Sequence, residues 1–238
     1  MTSKTSWYQA QTLASQSLLR RLSHSSRYRM AADLAAVRAG ETVLDYGAGD
    51  GTLLVELFRR EPAAQYWAME PSPKMRDLLQ AQLLEAQLTA QVASSPAELP
   101  PNSLDLIVCT EVLEHLPEGP LDAALRTIAA ALKRDGRALI SVPIETGLPS
   151  LLKNLVRRLQ GTEAVTLRDA WNCALGQAQR VNRGGNEWYI PSHLGFDFRS
   201  IEQRLPAAGL KLMQRHYSPL PLGAAALNSQ IFWSVEKL

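Results

Sequence analysis

The sequence is poor in cysteine: only Cys109 and Cys173 occur in 238 residues, far apart and with no histidine or second cysteine at metal-ligand spacing. That excludes a disulfide framework and a structural zinc site, and it makes a reducing cytoplasm the expected compartment. No apolar run approaches the roughly 18 residues that span a bilayer, and the N-terminus has no apolar signal-sequence core. Residues 1–32 contain no acid but many Ser and Arg, a composition also found in transit peptides. Net charge is nearly absent, at +2 from 25 Lys plus Arg against 23 Asp plus Glu, which excludes a wholly basic chain of the kind that coats nucleic acid. Internal repeats and low-complexity tracts are missing too. What is present is 46% hydrophobic and 20% charged residues, too apolar for general disorder and enough for one domain over residues 1–238.

Periodicity divides the chain. Residues 1–40 read as a helical arm, with Leu13, Leu18, Leu19 and Leu22 on one face and Gly40 stopping the last helix. Glu41 to Tyr46 reads as a strand, then a glycine cluster, then a helix carrying Leu53, Leu54, Leu57 and Phe58. Gln65 to Met69 reads as a second strand followed by a helix from Met75 to Leu88, and Gln91 to Ala93 as a third strand. Leu104 to Cys109 is apolar enough to be buried on both faces, and Leu121 to Leu132 is a helix that stops at Asp135-Gly136 before a strand from Ala138 to Val142. Strands alternating with helices imply right-handed crossovers and a parallel sheet covered on both sides. After this core (41–146), residues 147–195 read as an irregular insertion placed like a lid. Residues 196–238 resume with a helix, Phe198 to Ala208, and two late strands near Leu210 to Tyr217 and Gln230 to Val235.

The most informative stretch is Asp45-Tyr46-Gly47-Ala48-Gly49-Asp50-Gly51. A glycine loop between a strand and a helix lets backbone N–H groups approach a ligand closely. The spacing is not the Gly-x-Gly-x-x-Gly of a pyrophosphate site, and Asp45 and Asp50 put negative charge where a cationic ligand is the better neighbour. Glu70, ending the second strand, is placed to accept hydrogen bonds from both hydroxyls of a ribose. Taken with Glu111-Val112-Leu113-Glu114-His115-Leu116 after the fourth strand, this ordered set resembles the class I S-adenosylmethionine-dependent methyltransferases. The resemblance is strong over roughly residues 41–143 and weaker from His193 onward.

The resemblance implies an α/β fold: a Rossmann-like, doubly wound, mostly parallel seven-stranded sheet with an N-terminal helical arm and a helical lid after the fifth strand. It implies S-adenosyl-L-methionine as cofactor, with Asp45, Gly47, Ala48, Gly49 and Gly51 bounding its amino-acid part and Glu70 holding its ribose. Pro71, Ala97, Thr110 and Glu111 complete the expected cofactor-binding set. One departure stands out: many relatives carry an acid after the third strand for the adenine amino group, where this chain has Ser95. Adenine recognition then rests on the Ser95 hydroxyl, on backbone groups or on Glu98.

Methyl transfer to oxygen requires in-line alignment and removal of a proton. His115 and His193 are the candidate catalytic residues. His115 is placed near the expected methyl, and its alternative role is to pack or cap the following helix. His193 resembles a recurring histidine of the small-molecule methyltransferase group, and its alternative is a surface or capping role. The aromatic pair Trp188-Tyr189 either walls a substrate pocket or joins the core. Glu111, Glu114 and His115 form Glu-x-x-Glu-His, which resembles the metal-binding triplet of some quinone-lipid and small-RNA O-methyltransferases, yet the same string occurs in relatives without metal, and no metal is expected. Neither Asn-Pro-Pro-Tyr nor Asp-Pro-Pro-Tyr follows the fourth strand, and neither cysteine follows a proline, which argues against methylation of amino groups on nucleobases or glutamine and of cytosine carbon.

Charge is partitioned. Residues 1–40 hold 6 basic and 1 acidic residue, residues 41–130 hold 5 and 14, and residues 131–238 hold 14 and 8. The basic flanks suggest an anionic acceptor or surface. A helix with Leu148, Leu151, Leu152, Leu155, Val156 and Leu159 on one face and Lys153, Arg157 and Arg158 on the other reads either as a packed lid or as a peripheral membrane contact. The expected activity is methyl transfer to a small molecule, at oxygen, with a lipid or glycan intermediate as the leading acceptor. The alternatives are RNA 2′-O-methylation, although nucleic acid is not the expected partner, and a catalytically idle cofactor-binding subunit.

Overall fold

A computed structural model of the chain describes residues 18–145, 168, 171–172, 188–191, 196–219, 225 and 228–238, with side chains from residue 27 onward. Helix α1 (Leu18–Ala35) is followed by β1 (Thr42–Tyr46), α2 (Thr52–Arg60), β2 (Gln65–Met69), α3 (Pro73–Glu85), β3 (Ala90–Ala93), β4 (Leu104–Thr110), α4 (Glu118–Ala131) and β5 (Leu132–Pro143). After the insertion come α5 (Arg199–Arg204), β6 (Leu210–Ser218) and β7 (Gln230–Lys237). The seven strands are ordered β3-β2-β1-β4-β5-β7-β6. All neighbours pair in parallel except β7, which runs antiparallel to both β5 and β6. This is the doubly wound, mostly parallel sheet expected from the alternation of strands and helices.

Two apolar layers cover the sheet. Because side chains alternate along a strand, Leu44, Ile107, Ile140 and Trp233 point to one face, where they meet Leu121, Leu125 and Ile128 of α4 and Ile201 of α5. Their neighbours Val43, Leu106, Leu139 and Phe232 point to the other, against Leu54 and Leu57 of α2, Leu79 and Leu83 of α3, and Ala31, Ala32 and Ala35 of α1. Strand order reverses between β1 and β4, so the helices after these strands diverge to opposite faces and leave a crevice at the carboxyl ends of β1 and β4.

Several boundaries differ from the sequence reading, among them the end of α3 at Glu85 rather than Leu88 and the start of α4 at Glu118 rather than Leu121. Helix α1 ends at Ala35, and Gly40 (φ +81°) instead makes the turn into β1, donating its N–H to the Ala63 carbonyl. Helix α3 begins at Pro73, earlier than Met75, because Ser72 caps it by accepting the Met75 N–H at 3.4 Å. Helix α4 stops at Ala131, and the Asp135-Gly136 stretch belongs to β5, where an irregular register sets Leu132 and Arg137 opposite Leu104 and Leu106. The C-terminal helix ends at Arg204 because Pro206 opens a separate 3₁₀ turn. The amphipathic helix expected over 148–159 lies outside the described residues, as do Leu13 and Cys173. Among the described residues no helix is long and apolar enough to cross a membrane.

The charge partition has a structural reading at the amino end of the sheet, opposite the crevice. Arg137 grips Glu41, Lys133 grips Asp105, and Lys237 bonds the Asn102 side chain and the Leu132 carbonyl. Arg204 reaches Asp122 and Glu118. Of these flanking bases, Arg137, Lys133 and Arg204 pair with acids of the core domain, while Arg157 and Arg158 lie outside the described residues.

Candidate functional site

The loop after β1 is fixed by its neighbour strand. The N–H groups of Gly47 and Ala48 both donate to the Met69 carbonyl at the end of β2, at 2.8 and 3.0 Å. Gly47 has φ +80°, and a Cβ there would lie 2.4 Å from Val112 Cγ2. Gly51 has φ +85°, and its Cβ would meet Leu79 Cδ1 at 2.5 Å. Both positions therefore require glycine twice over, for backbone conformation and for close approach. Gly51 ends the loop directly before α2.

Three carboxylates surround this loop. Asp45 is 2% exposed and its Oδ2 has no hydrogen-bond partner. Burial, reinforced by the charges of Glu70 and Asp50, pushes its carboxyl up to about 7. Glu70 is buried and spans two backbone donors, with Oε2 accepting the Gly49 N–H at 2.9 Å and Oε1 accepting the Ser72 N–H at 2.8 Å. Each of its oxygens keeps a second lone pair. Arg76 bonds the backbone carbonyls of Glu70 and Pro71, at 2.8 and 2.7 Å. Asp50 accepts from the N–H and hydroxyl of Thr52.

Asp45, Asp50 and the loop between them open on a cavity of about 180 Å³. Seven of the residues singled out in the sequence, Asp45, Gly47, Ala48, Gly49, Asp50, Thr110 and Glu111, meet on its wall. Tyr28, Leu53 and Met75 join them. Leu53 and Met75 belong to the first turns of α2 and α3, which follow from the helix starts. Tyr28 sits in α1, and no pattern in the sequence marks it. Gly51 lies behind the loop against Leu79, Glu70 is tied in through Gly49, and Pro71 is not on the cavity wall. Ser95 and Ala97 also lie off that wall. The Ser95 hydroxyl donates to Glu98 at 3.1 Å, and with the Ser94 hydroxyl and N–H it holds the exposed Glu98 carboxyl below its ordinary range.

The turn after β4 is built by distant partners. Glu111 has φ +57°, uncommon outside glycine. Its N–H donates to the Ser141 carbonyl, while its carboxylate accepts from Arg27 of α1 at 3.1 Å and from Gln230 Nε2 of β7 at 2.9 Å. Gln230 also donates to the Ser141 hydroxyl, giving a buried polar link across β4, β5 and β7. His115 Nδ1 lies 2.8 Å from the Ile190 carbonyl, the Ile190 N–H donates to the His115 carbonyl at 2.7 Å, and the Tyr189 ring stacks on the imidazole at 5.0 Å and 17°. Glu114 is fully buried. The side chains of Glu-x-x-Glu-His thus serve separate environments, and among the described residues no three His, Cys, Asp or Glu side chains gather as a metal site. Trp188 is exposed, Tyr189 is half-exposed, and His193 lies outside the described residues. Cys109 is buried in β4 with its thiol pushed up by burial, so it is no nucleophile.

A sequence model for a family described as a methyltransferase domain matches residues 17–214. The ubiquinone biosynthesis O-methyltransferase of Aeromonas salmonicida is 33% identical over 104 residues, covering 43% of this chain and 43% of that protein. An uncharacterized methyltransferase of Geobacillus thermodenitrificans is 28% identical over 106 residues, covering 44% of this chain and 48% of that one. The chain thus matches less than half the length of these curated relatives. Among solved structures, magnesium protoporphyrin IX methyltransferase from Synechocystis with bound SAH superposes with a TM-score of 0.60 at 16% identity, over 100% of this chain and 90% of that one. A protein from Pyrococcus horikoshii gives 0.65 at 12% identity, over 90% and 91%. These two likenesses establish the fold.

Proposed function

The chain belongs to the class I S-adenosylmethionine-dependent methyltransferases, and from that premise we propose that it methylates a small-molecule acceptor at oxygen. The observation that carries the reading is the chemistry of the crevice. Asp45 and Asp50 line it, Glu70 is tied to the loop through the Gly49 N–H, Asp45 keeps a buried oxygen without a hydrogen-bond partner, and no basic side chain is among the described residues of the cavity wall. Buried negative charge of this kind calls for a cation from the ligand. S-adenosylmethionine fits, with an ammonium and a sulfonium for the carboxylates and two ribose hydroxyls for the remaining lone pairs of Glu70. Of the loop glycines, Gly49 faces open space on the cavity wall, where a Cβ would come no closer than 3.8 Å to Met75 Cε.

When bound, the cofactor supplies a methyl carbon on positively charged sulfur, and displacement by oxygen returns the C–S bonding pair to sulfur as a neutral thioether. The protein's part is to place the loop N–H groups and carboxylates around the charge, and to take the acceptor's proton. We assign that proton to His115, which closes the 3₁₀ turn Leu113–His115 after β4 and is not itself among the described residues of the cavity wall. The acceptor hydroxyl gives its hydrogen to the imidazole as its oxygen forms the new C–O bond, and the imidazolium then releases the proton to water. His193 is held as a second candidate.

For the acceptor we propose a lipid or glycan intermediate, anionic in character, reached from the cytoplasm with peripheral membrane contact through the insertion. The O-methyltransferase relatives, named for ubiquinone biosynthesis, support oxygen as the acceptor atom. The test is transfer of labelled methyl from S-adenosylmethionine into separated lipid, glycan and RNA extracts. Label on an oxygen of a lipid or glycan compound is expected. Label confined to RNA, or none in any extract despite cofactor binding, overturns the reading in favour of RNA methylation or of an idle subunit respectively.

A further inference from the structure

We propose that Gln230, the first residue of β7, is a positioning residue that holds the Glu111 carboxylate on the cavity wall for the cofactor. This rests on the cofactor reading of the cavity and extends it to a side chain that is not among the described residues of the wall but acts through one that is. Glu111 is an unusual wall residue. Among the described residues, four outside glycine have positive φ. Ala36, Gln87 and Asn102 are not among the described residues of the cavity wall, and Glu111, at φ +57°, is. Strained backbone persists where its surroundings hold it, and such positions gather at ligand sites. Here the Glu111 N–H bond to the Ser141 carbonyl at 3.0 Å fixes the backbone. Gln230 Nε2 at 2.9 Å and Arg27 Nη1 at 3.1 Å fix the carboxylate. The side chain still keeps 28% exposure, so a ligand can reach it.

Gln230 differs from Arg27 in being buried, at 3% exposure, and its amide can sit only one way round. Nε2 donates to Glu111 Oε1 and, at 3.1 Å, to the Ser141 hydroxyl, so the side chain crosses over β5 to reach the end of β4, 119 positions away in the sequence. Turning the amide over would set Oε1 against the carboxylate, acceptor against acceptor. The observed orientation leaves Gln230 Oε1 buried with no hydrogen-bond partner, a state that native interiors largely avoid. An apolar side chain of the same size would fill this place without an unmet acceptor. What it would lose is the donor to Glu111, and the chain retains that donor at a cost in stability, as proteins do where function requires it. Unlike a guanidinium, an amide orients the carboxylate without cancelling its charge, which stays available to a cationic ligand.

The test is a double-mutant cycle on the full chain, read by calorimetric titration with S-adenosylmethionine. Gln230→Met keeps the length of the side chain and loses the donor, and it is expected to weaken binding about fivefold. With Glu111→Ala already present the same change is expected to weaken binding less than about twofold, because no carboxylate is left to position. Equal losses in the two backgrounds, or no loss in either, overturn the proposal. A second measurement uses the wild type alone and so stands even if Gln230→Met does not fold. In NMR spectra the side-chain amide hydrogens of Gln230 are expected to shift when S-adenosylmethionine saturates the protein, and unmoved resonances overturn the proposal. Absence of binding by the wild type overturns the cofactor reading and the role of Gln230 with it, whereas wild-type binding matched by Gln230→Met overturns the role of Gln230 alone.

Discussion

The loop after β1 and the turn after β4 face each other across one crevice, and they are built in opposite ways. The first is local: glycines at positive φ, carbonyls of the adjoining strand, and carboxylates left short of cations. The second is assembled from afar: Arg27, Gln230, Tyr189 and Ile190 reach in from α1, β7 and the insertion to satisfy Glu111 and His115. The contrast teaches that charge is left uncompensated where a cationic ligand is to supply it, and compensated by protein where side chains must be held for use.

If that division is right, the largest effects come from the uncompensated side. Asp45→Asn removes a buried carboxyl pushed up to about 7 in the ligand-free protein. Between the ordinary carboxylate range and about pH 7 the folded protein holds a proton that the unfolded chain has lost, so stability falls as pH rises through that window and the full penalty is present above it. The variant is expected to gain stability at pH 8, by up to about 4 kcal/mol, and none at pH 4. Urea unfolding at the two values checks this. Wild-type affinity for S-adenosylmethionine should rise with pH through about 7, with proton release measurable by calorimetry in buffers of different ionisation heat, and the variant should show neither effect.

Next comes the geometry of the loop. Gly51→Ala meets both an unfavourable left-handed conformation and Leu79 Cδ1 at 2.5 Å, for a loss of about 2–4 kcal/mol. Adding Leu79→Ala should relieve the clash with the new Cβ but not the conformational part, and a thermodynamic cycle separates the two. On the compensated side a smaller loss is expected, because Arg27 is about a third exposed and solvent screens its pair with Glu111. Arg27→Ala should weaken cofactor binding severalfold and cost under about 1 kcal/mol in stability. Equal losses from Arg27→Ala and Asp45→Asn in cofactor affinity would erase the contrast. The smallest effect is expected at Ser95, whose hydroxyl donates to exposed Glu98: Ser95→Ala should change cofactor affinity less than about twofold. A tenfold loss would instead place the adenine amino group at Ser95.

The same contrast explains what was legible in the sequence. The glycine loop Asp45 to Gly51 was readable as a loop because it lies within one strand-loop-helix unit, where spacing alone carries the geometry, and Glu70 was readable as the end of the next strand. Strands β1, β4 and the second half of β5 were readable because central parallel strands buried on both faces leave continuous apolar runs. The boundary of α4 was misread because Asp135-Gly136 looks like a turn, whereas here the chain enters β5 early through an irregular pairing with Leu104. Arg27, Tyr28 and Gln230 were invisible because their partners stand far away in sequence and no local pattern marks a residue that serves another element. His115 was visible as a residue, while its contacts with Tyr189 and Ile190 were not. The Ser95 expectation came from position after β3, yet the side chain is engaged with Glu98 rather than facing the cavity wall.

Calorimetric titration of the wild-type protein and Asp45→Asn with S-adenosylmethionine and with S-adenosylhomocysteine tests the central claim most directly. The account predicts that the wild type binds both, that Asp45→Asn weakens S-adenosylmethionine at least tenfold, and that the uncharged thioether loses distinctly less. No binding to the wild type, or equal losses for the charged and uncharged ligands, would contradict a crevice whose carboxylates await a cation.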